Sequence, residues 1–87
     1  FHVGNISCSD TFYRYDEVDK NLRDMGILCS EMESVALYCN AAAAKKNALA
    51  ILTISDHIFK HEALSPEQRR TGFTQMMEIA LKVASEL

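Results

Sequence analysis

Two groups of residues in this 87-residue chain have the types and spacing to do chemistry. The first is Glu31-Met32-Glu33, two carboxylates on either side of a thioether, at the point where an apolar stretch becomes helical. A carboxylate can accept hydrogen bonds from two neighbouring hydroxyls, and a methionine offers a soft apolar surface, so the trio suits a hydroxylated ring such as a sugar. A plainer use is equally open, because acids in the first turn of a helix complement its dipole. The second group is Thr53-Ile54-Ser55-Asp56-His57-Ile58, which delivers an acid at the end of an apolar run. Dry surroundings there raise a carboxyl pKa and keep a proton available near neutral pH, as a general acid requires. An Asp after a strand also commonly does no more than cap a turn.

Other reactive side chains fall short of a site. His57 and His61 are four apart, but no third ligand follows at metal-site spacing, so no metal centre is expected. His2 stands alone. Cys8, Cys29 and Cys39 are odd in number and lack a C-x-x-C pair, which points away from a disulfide framework or zinc ribbon and towards a reducing, cytoplasmic setting. They read as small packing residues rather than nucleophiles. Met76 and Met77 likewise read as packing residues, and no glycine-rich phosphate cradle is present.

The elements that must position the two groups follow from periodicity. A short strand and a loop are expected over residues 1–15, then a helix from Tyr15 to Met25 stopped by Gly26. Residues 27–32 read as a buried strand and Glu33–Lys46 as a helix, with Glu33 at its N-terminus. The seven-residue apolar run 48–54 predicts a central strand covered on both faces, followed by a loop over 57–64. Ser65, Pro66 and Gln68 then supply an N-cap, a first helical residue and a capping box. The apolar positions Phe73, Met76, Met77, Ala80, Leu81, Val83, Ala84 and Leu87 give that last helix one packing face. Strand and helix alternate, so the fold class is α/β with neighbouring, parallel strands. Ligands of such sheets gather at the carboxyl ends of the strands, where Glu31, Glu33, Ser55 and Asp56 lie.

Bulk properties bound the rest. With 48% apolar and 24% charged residues the composition is globular, but a domain this short hides only about 60% of its unfolded surface. The start at Phe1 leads to the expectation that an N-terminal part is missing. A formal charge of −3, with Lys45-Lys46 and Arg69-Arg70 as the densest basic pairs, argues against a nucleic-acid partner. No apolar run reaches the roughly 18 residues of a membrane span.

Taken together, Phe1-His2-Val3-Gly4-Asn5, Phe12-Tyr13, Glu31-Met32-Glu33, Ser55-Asp56-His57-Ile58 and Arg69 resemble the C-terminal part of the bacterial hexameric purine nucleoside phosphorylases. The order and spacing match across nearly the whole chain, with a step of 22 from Glu33 to Ser55 and of 13 from Asp56 to Arg69. The resemblance implies the C-terminal portion of a three-layer fold, a central mixed sheet flanked by helices, as one part of a single domain. It implies cleavage of a purine nucleoside by phosphate, giving a free base and ribose 1-phosphate, in a cytoplasmic homo-oligomer, hexameric in that family, with no metal or organic cofactor.

By that resemblance Phe12 packs on the purine, Met32 on the ribose face, and Glu33 holds the ribose hydroxyls. Ser30 and Glu31 flank the pocket, and Ser55 and Ile58 border the base. Asp56 protonates purine N7, and Arg69 is its partner. A guanidinium held permanently beside Asp56 would strip its proton, so Arg69 is expected to approach chiefly when the site closes. The phosphate-binding residues of the family lie upstream, so these residues alone are expected to be inactive. A nucleosidase using water, and a non-catalytic piece that serves only assembly, remain the alternatives.

Overall fold

The computed structural model describes residues 1–60 and 62–87. They form two compact units, Phe1–Ala50 and Ile51–Leu87.

In the first unit, β1 (Ser7–Cys8) and β2 (Ser30–Glu31) pair in parallel, with Ser7 opposite Ser30 and Cys8 opposite Glu31. The ladder runs through Leu28 N–H to Asn5 C=O (2.9 Å), Ser7 N–H to Cys29 C=O (2.9 Å) and Ser9 N–H to Glu31 C=O (3.0 Å). Gly4 permits this approach, since a Cβ there would stand 2.6 Å from Leu28 Cδ1.

The crossover between the strands carries α1 (Asp16–Asp24), with Asp16, Glu17 and Asp19 in its first turn and Arg23 in its last, as the helix dipole favours. Gly26 takes φ 78° and ends it as expected, Gly26 N–H bonding Arg23 C=O and Ile27 N–H bonding Leu22 C=O.

Helix α2 (Ser34–Ala43) is shorter than the expected Glu33–Lys46. Its stop is Lys45, a non-glycine residue at φ 55°. That conformation costs about 1–2 kcal/mol for a residue with a Cβ. Two bonds offset it, Lys45 N–H to Ala42 C=O (3.1 Å) and Lys46 N–H to Ala41 C=O (2.8 Å).

The run 48–54 corrects the sequence-based expectation most clearly. It forms no strand, and Leu49, Leu52 and Ile54 are exposed. A central strand needs a neighbour on each edge to take up its backbone groups, and among the described residues none pairs with it. The expected loop 57–64 is also corrected, because β3 (Asp56–His57) and β4 (Glu62–Ala63) form an antiparallel hairpin, Asp56 opposite Ala63 and His57 opposite Glu62.

Helix α3 (Pro66–Ser85) follows, opened by the expected capping box. Ser65 Oγ accepts from Gln68 N–H (3.1 Å), and Gln68 Oε1 accepts from Ser65 N–H (2.9 Å). Of its apolar face, Phe73, Met76, Ala80 and Val83 are half-buried together with Ile79, whereas Met77 and Leu81 are exposed.

The architecture is therefore mixed α/β. Among the described residues no apolar side chain is fully buried, and the only buried residue is Ser34, at 6% exposure. The apolar faces of a 48% apolar chain thus stand partly open, as its small size leads one to expect.

Candidate functional site

The two carboxylates of the Glu31-Met32-Glu33 trio have different employments. Glu31 Oε2 accepts from the backbone N–H groups of Glu33 and Ser34, both at 2.7 Å, and its Oε1 accepts from the Ser34 hydroxyl. These amides are among the unpaired donors at the start of α2, so Glu31 caps that helix. The Ser34 hydroxyl is the main reason its carboxyl falls from the ordinary 4.5 to about 2; partial burial opposes this, while the two amides and the Cys8 thiol add to it.

Glu33, by contrast, is exposed and among the described residues accepts only from Met32 N–H, at 3.2 Å. The two acids thus divide: Glu31 is spent on the helix start, and Glu33 keeps its carboxylate exposed. Met32, between them, is exposed. Buried Ser34 is the residue that sequence reasoning missed, since a serine after Glu-Met-Glu carries no distinguishing pattern.

The cap has a pH signature. A carboxyl depressed in the folded chain stabilises it fully above the ordinary value of 4.5, and that contribution is lost as pH falls towards about 2. Protection of the Glu33 and Ser34 amides, taken relative to their intrinsic exchange rates, is expected to fall as pH drops across that window; protection independent of pH between 4.5 and about 2 would remove the cap.

Phe12 lies in the loop between β1 and α1, 74% exposed, with its ring edge-to-face on Tyr13 at 5.1 Å and 79°. The loop starts in a tight turn, Ser9 Oγ donating to Thr11 C=O (3.0 Å) and accepting from Thr11 N–H (3.2 Å). Arg14 anchors its other end. Its Nε donates to Asp19 Oδ1 at 2.6 Å and its Nη2 to Ser30 Oγ at 2.7 Å. Ser30 therefore presents its hydroxyl to Arg14.

The thiol pKa of Cys29 is raised by burial and then by the charge of Glu31, which makes it a poor nucleophile, in line with a packing role. None of the three cysteines is in a disulfide.

In the second unit, Asp56 sits in β3 with one donor on each oxygen. Ser55 Oγ donates to Oδ2 and Arg69 Nη2 to Oδ1, each at 3.2 Å. The hairpin and the first turn of α3 bring these three residues together, Leu64 N–H closing the hairpin on Ser55 C=O at 2.7 Å.

Two expectations are corrected here. The surroundings of Asp56 are not dry, its side chain being 55% exposed, because no sheet forms over 48–54 to enclose the strand end. Arg69 does not wait for closure either; the pair is already formed, with the Arg69 side chain 45% exposed. An open, single-bonded ion pair of this kind is worth at most about 1 kcal/mol and exchanges readily with water. Ile58 is exposed in the hairpin turn, where His57 Nδ1 accepts from Phe59 and Lys60 N–H at 3.2 and 3.1 Å.

Among the described residues no group of three or more His, Cys, Asp or Glu side chains has the geometry to hold a metal ion, and His61 of the His57/His61 spacing lies outside them. No described helix is long and apolar enough to cross a membrane.

The chain is α/β, with a capped acidic strand end in one unit and a Ser-Asp-Arg cluster in the other, and comparison with known proteins gives it a family. The chain belongs to the phosphorylase superfamily, which it matches over residues 1–87. It is similar to the purine nucleoside phosphorylases, DeoD-type, of Bacillus cytotoxicus, Bacillus cereus and Bacillus thuringiensis. Each is 49% identical over 83 residues, covering 94% of this chain and 35% of the relative. The chain thus spans about a third of the length of these curated relatives.

Proposed function

We propose that the chain supplies the base- and ribose-facing part of a purine nucleoside phosphorylase, an enzyme that cleaves the N-glycosidic bond with phosphate and releases the base and a (deoxy)ribose 1-phosphate. The observation that carries this reading is the Asp56 cluster: one carboxylate with a hydroxyl on one oxygen and a guanidinium on the other. A departing purine is a poor leaving group unless N7 receives a proton as the bond breaks and the sugar becomes oxocarbenium-like. Asp56 donates that proton, and Ser55 and Arg69 stabilise the carboxylate left behind. Arg69 Nη2 stands 3.2 Å from Asp56 Oδ1, where it meets the negative charge that develops as the proton leaves.

Glu33 accepts the ribose hydroxyls, Met32 lies against the sugar ring, Phe12 against the purine, and Ile58 borders the base. Ser30 and Glu31 act behind them, through Arg14 and through the α2 cap. Phosphate is the co-substrate, held by residues outside 1–87, and the chemistry needs no metal or organic cofactor. In this reading the chain is part of a three-layer fold in a cytoplasmic homo-oligomer, a hexamer as in the family it resembles.

Two measurements test the reading. The 87-residue chain alone is expected to give no phosphorolysis of inosine. A chimaera in which it replaces the matching 83 residues of the Bacillus cereus relative is expected to restore phosphate-dependent release of the base. Release at the same rate without phosphate would make it a nucleosidase, and a folded but inert chimaera would leave an assembly role alone.

A further inference from the structure

The least exposed ion pair among the described residues stands behind the chemistry above rather than in it. Arg14 and Asp19 are each only 14% exposed at the side chain, against 45–60% for the Arg23–Asp24 and Arg69–Asp56 pairs. The guanidinium also reaches Ser30, so three segments meet on one side chain: the loop bearing Phe12 and Tyr13, the first turn of α1, and β2. Arg14 lies two residues after Phe12, and Ser30 two before Met32. A fork with donors on Nε and Nη2 meets both partners at once, whereas a lysine ammonium is a single point and serves one.

We propose that Arg14 is a positioning residue: it fixes the Phe12-Tyr13 loop against the strand that ends in Met32 and Glu33, and so sets where the aromatic face stands relative to the sugar-holding carboxylate. The role of these groups toward a nucleoside rests on the reading above; the brace itself does not. Phe12 and Tyr13 are exposed, with their rings edge-to-face on each other, and the Ser9–Thr11 turn holds the start of the loop. Ser30 is the coupling point, because β2 continues directly into the Glu31 cap and the start of α2.

The test compares the wild-type chain with Arg14→Ala, Arg14→Lys and Ser30→Ala, using backbone relaxation and titration with inosine. In the wild type, order parameters over 11–15 are expected near the rigid value of about 0.85, falling below about 0.6 in Arg14→Ala. Arg14→Lys is expected to rescue little, because it restores one leg of two. The Glu33 and Ser34 amides, held by Glu31, should keep their protection in every variant, which separates a loosened loop from general unfolding.

With inosine, the variants are expected to lose the shifts at Phe12 and Tyr13 while retaining those at Met32 and Glu33. In the chimaera the same split reads as a rise of about tenfold in KM with kcat changed less. Unchanged order over 11–15 in both Arg14→Ala and Ser30→Ala overturns the brace. Loss of order with inosine shifts intact at Phe12 overturns the positioning role. A wild-type chain that shifts at neither end overturns the nucleoside reading instead, and loss of order in Arg14→Ala would still support the brace.

Discussion

An Asp56→Asn chimaera is expected to lose roughly 10²- to 10⁴-fold in kcat on natural purine nucleosides, the usual worth of a positioned general acid. Asparagine keeps the shape and one acceptor oxygen for the Arg69 guanidinium, but its amide has no acidic proton to give at N7. Nucleosides alkylated at N7, whose base is already cationic, need no such proton and should retain most of their rate. The ratio between the two substrate types is the decisive number. If both fall together, Asp56 does something other than protonate the base, and the turn-capping reading returns.

Arg69→Ala is the second large effect, expected at about 10- to 100-fold in kcat with little change in nucleoside affinity. The argument lies in when the charge exists. Arg69 Nη2 lies 3.2 Å from Asp56 Oδ1, so it meets the negative charge that develops there as the proton moves to N7. An interaction of this kind, made fully only as charge develops, appears in turnover rather than in binding. Equal losses in kcat and in affinity would instead mark Arg69 as a substrate-binding group. The geometry also predicts salt dependence, because the pair as it stands is exposed and screened.

What could be read in advance and what could not divides along sequence distance. The capping box at Ser65 and Gln68 and the glycine stop at Gly26 are settled within a few residues of themselves, and both were legible. The pairing of β1 with β2 was legible too, since a strand, helix, strand succession leaves parallel neighbours as the simple solution.

The run 48–54 was misread because its hydrophobicity reports a wish for cover, not the presence of a partner strand. The β3–β4 hairpin was missed because Asp56-His57 and Glu62-Ala63 lack the β-branched alternation that marks strands. At the site, the family resemblance implied that Asp56 and Arg69 are partners, and the two are hydrogen-bonded. The dry pocket was inferred from the misread strand and failed with it. The division of labour between Glu31 and Glu33 was beyond the sequence, since two glutamates around one methionine are chemically alike until Ser34 and the α2 amides select one. Arg14 gave no signal, because its partners lie 5 and 16 positions away at no regular period.

The left-handed peptide at Lys45 has a geometric consequence for everything after it. A helix advances about 1.5 Å and turns about 100° with each residue, whereas extended chain advances about 3.3 Å and turns little. Were α2 to run on to Lys46, the backbone would leave it almost a full revolution later and several ångströms short. The residues after α2 would then start with a different phase and reach. One lysine, held where glycine is more at home, therefore sets the heading on which the chain leaves that helix.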